Sequence, residues 1–399
     1  MYKTFDAFRP HFNALARVGY FKILKPMTLN KPYLHKVYRT VVWILVITYN
    51  LQHLFRVIQV RHSTEEMVNT LFILLTTLNT LGKQVAFNFR TGRVDRILAT
   101  INGFVFAPRN KHHEDVLKSN AASMQRLLKL YLCAIFICGG LWTIFPIVNR
   151  VLGEDVQFTC YFPFNTSNSP VFELTLAYMS ILITFQAYGN VTMDCTIVAF
   201  YAQAKTQLQI LRFNLEHLAD LDGKKKNGDF FELGTYKDVA NKGFNRLMHR
   251  RFVSCVKHHQ QIVWFAKEVE SIFGEAMVIQ CFVMTWVICM TVYKIVGLSI
   301  FSVEFFSMGM YLGCMLAQLF IYCYYGTQLK VESNFLNQSI YSSEWTSLSP
   351  AMRRQLLLLM TRCSRPISPC IAYIIPMSTE TYITIIKSSY TLFTFLNRK

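Results

Sequence analysis

The sequence predicts an all-α membrane protein with seven spanning helices. Three observations carry that reading. Of 399 residues, 52% are hydrophobic and only 16% charged, where a soluble chain has about 25% charged. Seven stretches are apolar enough to cross a hydrocarbon layer of about 30 Å, which takes about 20 residues. They are roughly 38–58, 66–88, 128–149, 172–196, 275–297, 303–327 and 377–397. Finally, Lys and Arg crowd into alternate gaps: twelve lie between 197 and 274, against one between 150 and 171. The segment before the first span and the gaps after the second and sixth are basic as well. Under the positive-inside rule this places residues 1–37 in the cytoplasm and the carboxyl terminus outside, the reverse of G-protein-coupled receptors. The net charge of +18 is then a topology signal. No nucleic-acid motif accompanies it, and no nucleic acid is expected as a partner.

Taken in order, "MYKTFDAFRPHFNALARVGYFKILK" has no uninterrupted apolar core before its charges. It does not read as a cleaved signal peptide, so the first span acts as its own insertion signal. The first two spans carry Arg56 and Lys83 near their ends, where both are expected to snorkel toward the interface. The third and sixth are the cleanest: Leu130 to Asn149 and Phe305 to Leu329 hold no charge. Asp194 and Glu173 sit at either end of the fourth, where a structural or interfacial role is expected rather than catalysis. The last is weakest by hydropathy, because it contains Glu380, Lys387 and many hydroxyls.

The basic gaps carry apolar stripes at helical spacing. "KTQLQILRFNLEHLADL" has Leu208, Leu211, Leu215 and Leu218 on one face, so the fourth helix continues past the membrane. "FNRLMHRRFVSCVKHHQQIVWFAKEVESIF" does the same ahead of the fifth. "SPAMRRQLLLLMTRCSRP" opens with Ser349-Pro350, a good helix start, and stops at Pro366. Residues 197–274 and 328–376 thus form a cytoplasmic helical anchor beneath the spans (38–327), and "DGKKKNGD" reads as a solvated loop.

Catalytic chemistry is missing. There is no Walker loop, dinucleotide fingerprint or serine elbow. The pairs His112-His113 and His258-His259 lack the i, i+4 geometry of a helical zinc site. The eleven cysteines show no metal spacing; Cys363 and Cys370 read as packing thiols, and Cys160 has no obvious disulfide partner in the outer loops. Neither an enzyme nor a metal or other cofactor is expected. Binding chemistry is present instead. "CGGLWTIFPIV" in the outer third span offers Cys138, Trp142 and Phe145, with Gly139 and Gly140 permitting close helix approach. The outer fourth span offers Tyr178, Ile181 and Phe185, and the second Phe72, Ile73 and Thr76. Together these nine predict an apolar pocket with a few hydroxyls. Asn165-Thr166-Ser167 in the outer loop is the expected glycan acceptor.

The final span, "TETYITIIKSSYTLFTFLNRK", has a polar stripe. At about 100° per residue, Thr381, Lys387, Ser388, Thr391, Thr394 and Arg398 fall within roughly 80° of Thr384, with Phe395 the apolar intruder. Ile383, Ile385, Ile386, Leu392, Phe393 and Leu396 hold the opposite arc, with Ser389, Tyr382 and Tyr390 among them.

Here the residues resemble a known family over essentially the whole chain: the insect odorant receptors. "CYYGTQLKVESNFLNQSIYSSEW" resembles the family's exit from its sixth span, with Gly326, Leu329, Glu332, Ser333, Tyr341 and Trp345 in place. "RRQLLLLMTRCSRP" resembles the buried helix before the last span, and "MSTETYITIIKSSYTLFTFL" the closing signature. Met377 and Tyr382 depart from it, where Leu and Phe are usual. The resemblance implies a ligand-gated, non-selective cation channel of four subunits around one pore, built with a shared co-receptor. It implies that a small volatile organic ligand binds between the second, third, fourth and sixth spans. Residues 377–399 would line the pore in contact with permeant cations, with Thr394 at the gate, Thr391 below it, Lys387 further along the stripe and Arg398 at the mouth. This chain lacks the co-receptor's long insertion between the fourth and fifth spans, so it resembles a tuning subunit in a sensory-neuron plasma membrane, bathed in membrane lipid. The rival readings are a gustatory-type chemoreceptor channel and a metabotropic or transport protein with seven helices.

Overall fold

The computed structural model describes residues 3–22, 31–153, 158–164, 166, 168–218, 234–298, 302–371 and 375–397. Asn165, Arg398 and the "DGKKKNGD" segment lie outside the described residues. The ten α-helices described are α1 (Arg9–Arg17), α2 (Lys31–Gln59), α3 (Thr64–Phe89), α4 (Thr91–Ile101), α5 (Lys111–Val151), α6 (Val171–Glu216), α7 (Gly234–Val296), α8 (Val303–Tyr341), α9 (Pro350–Cys363) and α10 (Thr379–Asn397). A short antiparallel ribbon, β1 (Cys370–Ile371) and β2 (Ile375–Pro376), leads into α10. By length and composition, α2, α5, α6, α7 and α8 can cross a membrane. The polar groups on α3 and α10 weaken their hydropathy, and these two complete the seven by packing along α7.

Four helices, α5 to α8, are longer than a span needs; the apolar stripes of α6 and α7 predict this for those two. At 1.5 Å per residue, the 63 residues of α7 extend about 95 Å and the 46 of α6 about 70 Å. Past the span they need other partners, and the chain supplies them at its basic end. There α1 and α4 pack on α6 and α7, and α9 packs on α8. Phe8 stacks on Phe200 with ring centroids 5.2 Å apart, Phe87 meets Phe273 at 4.7 Å, and Phe106 meets Phe265 at 5.7 Å. Residues of the amino-terminal segment are therefore part of the core: Phe12, Leu15, Tyr20 and Phe21 are all buried. Arg90, at the corner between α3 and α4, donates to the carbonyls of Ser271 and Ile272 at 2.9 and 2.7 Å. Arg93 grips Glu268 with two bonds, at 2.8 and 3.0 Å.

Polar contacts explain the motif at the exit of α8. Glu332 accepts from Gln209 and Arg212 of α6 at 2.9 and 2.8 Å. Ser333 accepts from the Ile367 backbone at 2.9 Å. Gly326 leaves room for Met377: a Cβ there would overlap the Met377 backbone. Thr327 receives the Thr379 backbone N–H at 3.0 Å. These contacts fix where α10 departs from α8.

Two expectations need correction. Arg56 reaches Glu66 at 3.2 Å and stays partly exposed, but Lys83 does not snorkel. It is 1% exposed, held inside the bundle by Asp194. Its stem would have to unwind from between α3 and α6 to reach an interface, and the buried carboxylate removes the incentive. The glycine pair also divides. A Cβ on Gly139 would lie 2.7 Å from the Thr184 hydroxyl, whereas one on Gly140 would meet nothing within 4 Å. Only Gly139 serves close approach.

Candidate functional site

A cavity of about 90 Å³ lies in the outer half of the bundle, walled by α3, α5, α6 and α8. Its aromatic wall is built by Phe72, Trp142 and Tyr311, with centroids 5.9 Å (Phe72–Trp142), 5.5 Å (Phe72–Tyr311) and 6.2 Å (Trp142–Tyr311) apart. The Thr76 and Tyr311 hydroxyls lie 2.9 Å apart, which ties α3 to α8 across this wall. Ile73, Ile135, Cys138 and Met315 supply apolar surface, and Asn190 and Gln318 form the inner end. A second cavity of about 380 Å³ adjoins it toward the outer end and shares Phe72, Ile73, Trp142 and Ile183. That chamber is wetter at its rim, where Arg56, Glu66, Lys294 and Glu304 stand; Lys294 pairs with Glu304 at 2.7 Å.

Below the inner cavity sits a polar knot. Lys83 Nζ lies 2.5 Å from Asp194 Oδ1 and 2.8 Å from Asn190 Oδ1. The Tyr322 hydroxyl donates to the same carboxylate at 2.6 Å, and the Gln318 amide donates to its other oxygen. An ion pair taken out of water survives only when both charges are also hydrogen-bonded, and this one is. Asp194 thereby joins α3, α6 and α8 at one level, which is the structural role expected for it. Glu173, at the outer end of α6, pairs with Arg150 at 3.5 Å.

Of the nine predicted pocket residues, Phe72, Ile73, Thr76, Cys138 and Trp142 meet on the inner cavity and Phe145 lies on the outer one. The other three do not line either. Tyr178 donates to Gln52 at 3.1 Å and packs on Phe162. Ile181 is 67% exposed, and Phe185 sets its ring against Tyr20. All three lie on the wrong face of α6. The cavity-facing positions are Ile183, Ala187 and Asn190, and a step of two residues turns about 200° around a helix. Sequence reading took aromatics where it needed register. It also missed Tyr131, Gln186, Tyr311 and Gln318, polar groups in apolar runs, although polar side chains inside a membrane span are themselves a functional signal.

On α10, Thr384, Lys387, Ser388 and Thr391 are exposed, while Thr394 and Leu392 are half-buried. The Thr384, Thr391 and Thr394 hydroxyls donate to carbonyls of their own helix. Ser389, on the other side, is buried and donates to the Thr285 carbonyl of α7 at 3.2 Å. The rest of the chain thus leaves Thr384, Lys387, Ser388 and Thr391 of the stripe uncovered, together with Ile383, Tyr390 and Phe395. Among the described residues, no group of three His, Cys, Asp or Glu side chains comes together as a metal site. Cys160 is a free, buried thiol 3.1 Å from His53.

A family model described as the 7tm odorant receptor matches residues 63–390. The chain belongs to that family. It is 21% identical over 334 residues to odorant receptor Or1 of Anopheles gambiae, covering 82% of this chain and 79% of that one. It is 22% identical over 348 residues to odorant receptor 46a, isoform A, of Drosophila melanogaster, covering 84% and 82%. Its fold matches the olfactory receptor OR5 of Machilis hrabei, solved in complex with eugenol, at a TM-score of 0.82 and 17% identity over 98% of this chain and 97% of that one. The protein is therefore an insect odorant receptor, a multi-pass plasma-membrane protein and not an enzyme.

Proposed function

We propose that the protein is the tuning subunit of an odorant-gated, non-selective cation channel, assembled as a heterotetramer with a co-receptor subunit. The observation that carries this is the inner cavity: apolar, aromatic-walled, and set between helices at the depth of the membrane core. An apolar volatile reaches such a site from lipid or from the outer chamber. The site rewards burial by about 25 cal/mol per Å². OR5 of Machilis hrabei is described with eugenol bound, which fits a small aromatic occupant here. The uncovered stripe of α10 supports the second half of the proposal, because hydroxyls at a pore wall help replace the hydration an ion sheds. Lys387, Thr391, Thr394 and Arg398 are the residues assigned to that path, and Asn165 to the outer glycan.

The experiment is a current recording from cells expressing the full chain with and without a co-receptor subunit, against an odorant panel. Fast odorant-evoked current that needs no nucleotide or G protein is expected only with both subunits. Current that depends on a G protein would support a metabotropic receptor instead. Thiol labelling tests the pore: Thr391→Cys and Thr394→Cys react with a small charged reagent during odorant application, and Ser389→Cys does not. Reaction at 389 alone would turn the stripe away from the pore.

A further inference from the structure

One primary amide on the inner cavity has no hydrogen-bond partner among the described residues. Gln186 is 2% exposed and lines the cavity, yet neither its amide oxygen nor its amide nitrogen has a hydrogen-bond partner among the described residues. Most of the polar side chains around it are engaged. Thr76 bonds to Tyr311 and to the Phe72 carbonyl, and Tyr131 donates to the Cys314 carbonyl. Asn190 holds Lys83, and Gln318 holds Asp194. Gln84 and Gln280 are also without partners, but neither lines this cavity. A primary amide buried without bonds is costly, and here the open space beside it is where its partner would sit.

We propose that Gln186 selects ligands that carry a hydroxyl, a proposal that rests on reading this cavity as the odorant site. An amide offers one acceptor and one pair of donors, and a hydroxyl satisfies both at once. An aldehyde, ketone or ester only accepts. A water molecule can serve the amide while the cavity is empty. A hydroxyl that displaces it restores both bonds, while a group lacking the donor forfeits one.

The geometry sets the pose. Gly139 of α5 touches Thr184 of α6, and the two helices run antiparallel. Trp142 lies three residues outward of that contact and Gln186 two residues inward, so about 7–8 Å separates them along the bundle. The hydroxyl therefore points inward and the apolar body lies under Phe72, Trp142 and Tyr311. The indole N–H of Trp142 is unpartnered too and marks the outer limit. A volume of about 90 Å³ is smaller than the roughly 150 Å³ cavity that admits benzene. A single ring therefore overfills the inner cavity, and an occupant whose hydroxyl meets Gln186 extends past Trp142 into the outer chamber.

The test uses benzyl alcohol, benzaldehyde and toluene, three bodies of nearly one shape. Half-maximal concentrations are measured on the full chain expressed with a co-receptor subunit. Benzyl alcohol is expected to lead the other two by about tenfold, the factor that ~1.4 kcal/mol represents. In Gln186→Met, which keeps the volume and removes the amide, that lead shrinks to within about threefold. The ratio within one variant does not depend on how much protein reaches the surface. Should Gln186→Met give no current, Gln186→Asn, whose amide is drawn back from the cavity, is expected to give an intermediate lead. The proposal is overturned by equal responses to the three probes in the natural chain, by a lead that persists in Gln186→Met, or by silence toward all three. If Trp142→Ala shifts all three probes while the lead survives Gln186→Met, the cavity binds odorant and only the hydroxyl assignment fails. If neither change moves any response, the cavity reading fails with it.

Discussion

The two halves of α6 are a single helix in two different worlds. From Asn190 to Ala204 every residue is buried. From Val171 to Tyr188 only Phe172, Thr175, Leu176, Leu182 and Gln186 are. The buried half reads "NVTMDCTIVAFYAQA", small and aromatic residues with neighbours on all sides, and it anchors the basic end. The outer half has neighbours on one side and two cavities against it. Close-packed interiors have no slack, because each lost contact costs dispersion energy. A chain that must keep a rigid body of helices and also leave room for small molecules separates those demands along its length. The boundary between them is the layer of Lys83, Asp194, Gln318 and Tyr322.

Breaking that boundary has the largest expected effect. Asp194→Asn leaves the Lys83 ammonium buried without its counter-charge. Removing one partner of a buried pair costs about 3–5 kcal/mol, and the thermal midpoint of the detergent-solubilised protein should fall sharply. Asp194→Leu combined with Lys83→Met removes both charges and should recover much of that loss. A double change as damaging as the single one would mean that Asn190, Gln318 and Tyr322 matter more than the charges.

Legibility follows the same division. The anchor was written plainly: leucines at helical spacing, Ser349-Pro350 at the start of α9 and basic gaps announce helices that outlast the membrane. The cavity was half-legible. Phe72, Trp142 and Phe145 could be found because aromatic clusters stand out, but Tyr178, Ile181 and Phe185 needed the rotation of α6, which depends on what surrounds it. The Lys83–Asp194 pair was not legible at all: 111 residues separate the partners, and each alone reads as a charge near a span end. Nor did composition show that Phe8, Phe12 and Phe21 belong to the core.

A second contrast lies within the outer half. Trp142 lines both cavities, whereas Ile181, on the next helix, is exposed. Trp142→Ala removes the middle of the aromatic wall and should raise half-maximal odorant concentrations by about 10- to 100-fold, or roughly 1.4–2.7 kcal/mol, with ion selectivity unchanged. Ile181→Ala should leave them where they are. Equal shifts in both would mean that the outer half responds as one packed body and that the cavity has no special standing.

Glycines sharpen the comparison at smaller scale. Gly189 lies at the start of the fully buried stretch, and a Cβ there would overlap the ring of Tyr20. Tyr20 is itself fully buried and cannot swing away, so Gly189→Ala should cost about 1–3 kcal/mol by overpacking. Gly140→Ala fills open space on α5 and should be neutral or stabilise by up to about 1 kcal/mol through helix propensity. Thermal midpoints of the two variants separate these outcomes; a tolerated Gly189→Ala would show that the close-packed half has slack after all.

Acid provides the gentlest probe, and it acts on the basic end. Burial pushes the His11 imidazole down to about 4 and that of His258 to about 3, with Arg109, His113 and His259 adding to the effect at His258. Both are folded in the neutral form, and His258 sits 2.8 Å from the Gln207 amide oxygen. An unfolded histidine takes up its proton near its ordinary value of about 6.5, and these two refuse it while folded. Their contribution to stability is therefore complete above about 6.5 and declines as pH falls toward the folded values, by about 1.4 kcal/mol per pH unit for each. Unfolding of the detergent-solubilised protein between pH 7.5 and 5.5 should show this decline. His11→Phe removes one titrating group whose two ring nitrogens have no partner among the described residues. It should remove one histidine's share of the pH dependence, up to about 1.4 kcal/mol per pH unit, while leaving stability at neutral pH unharmed. If the slope is unchanged in His11→Phe, that histidine already exchanges protons with solvent, and the close packing claimed for the basic end does not extend to α1.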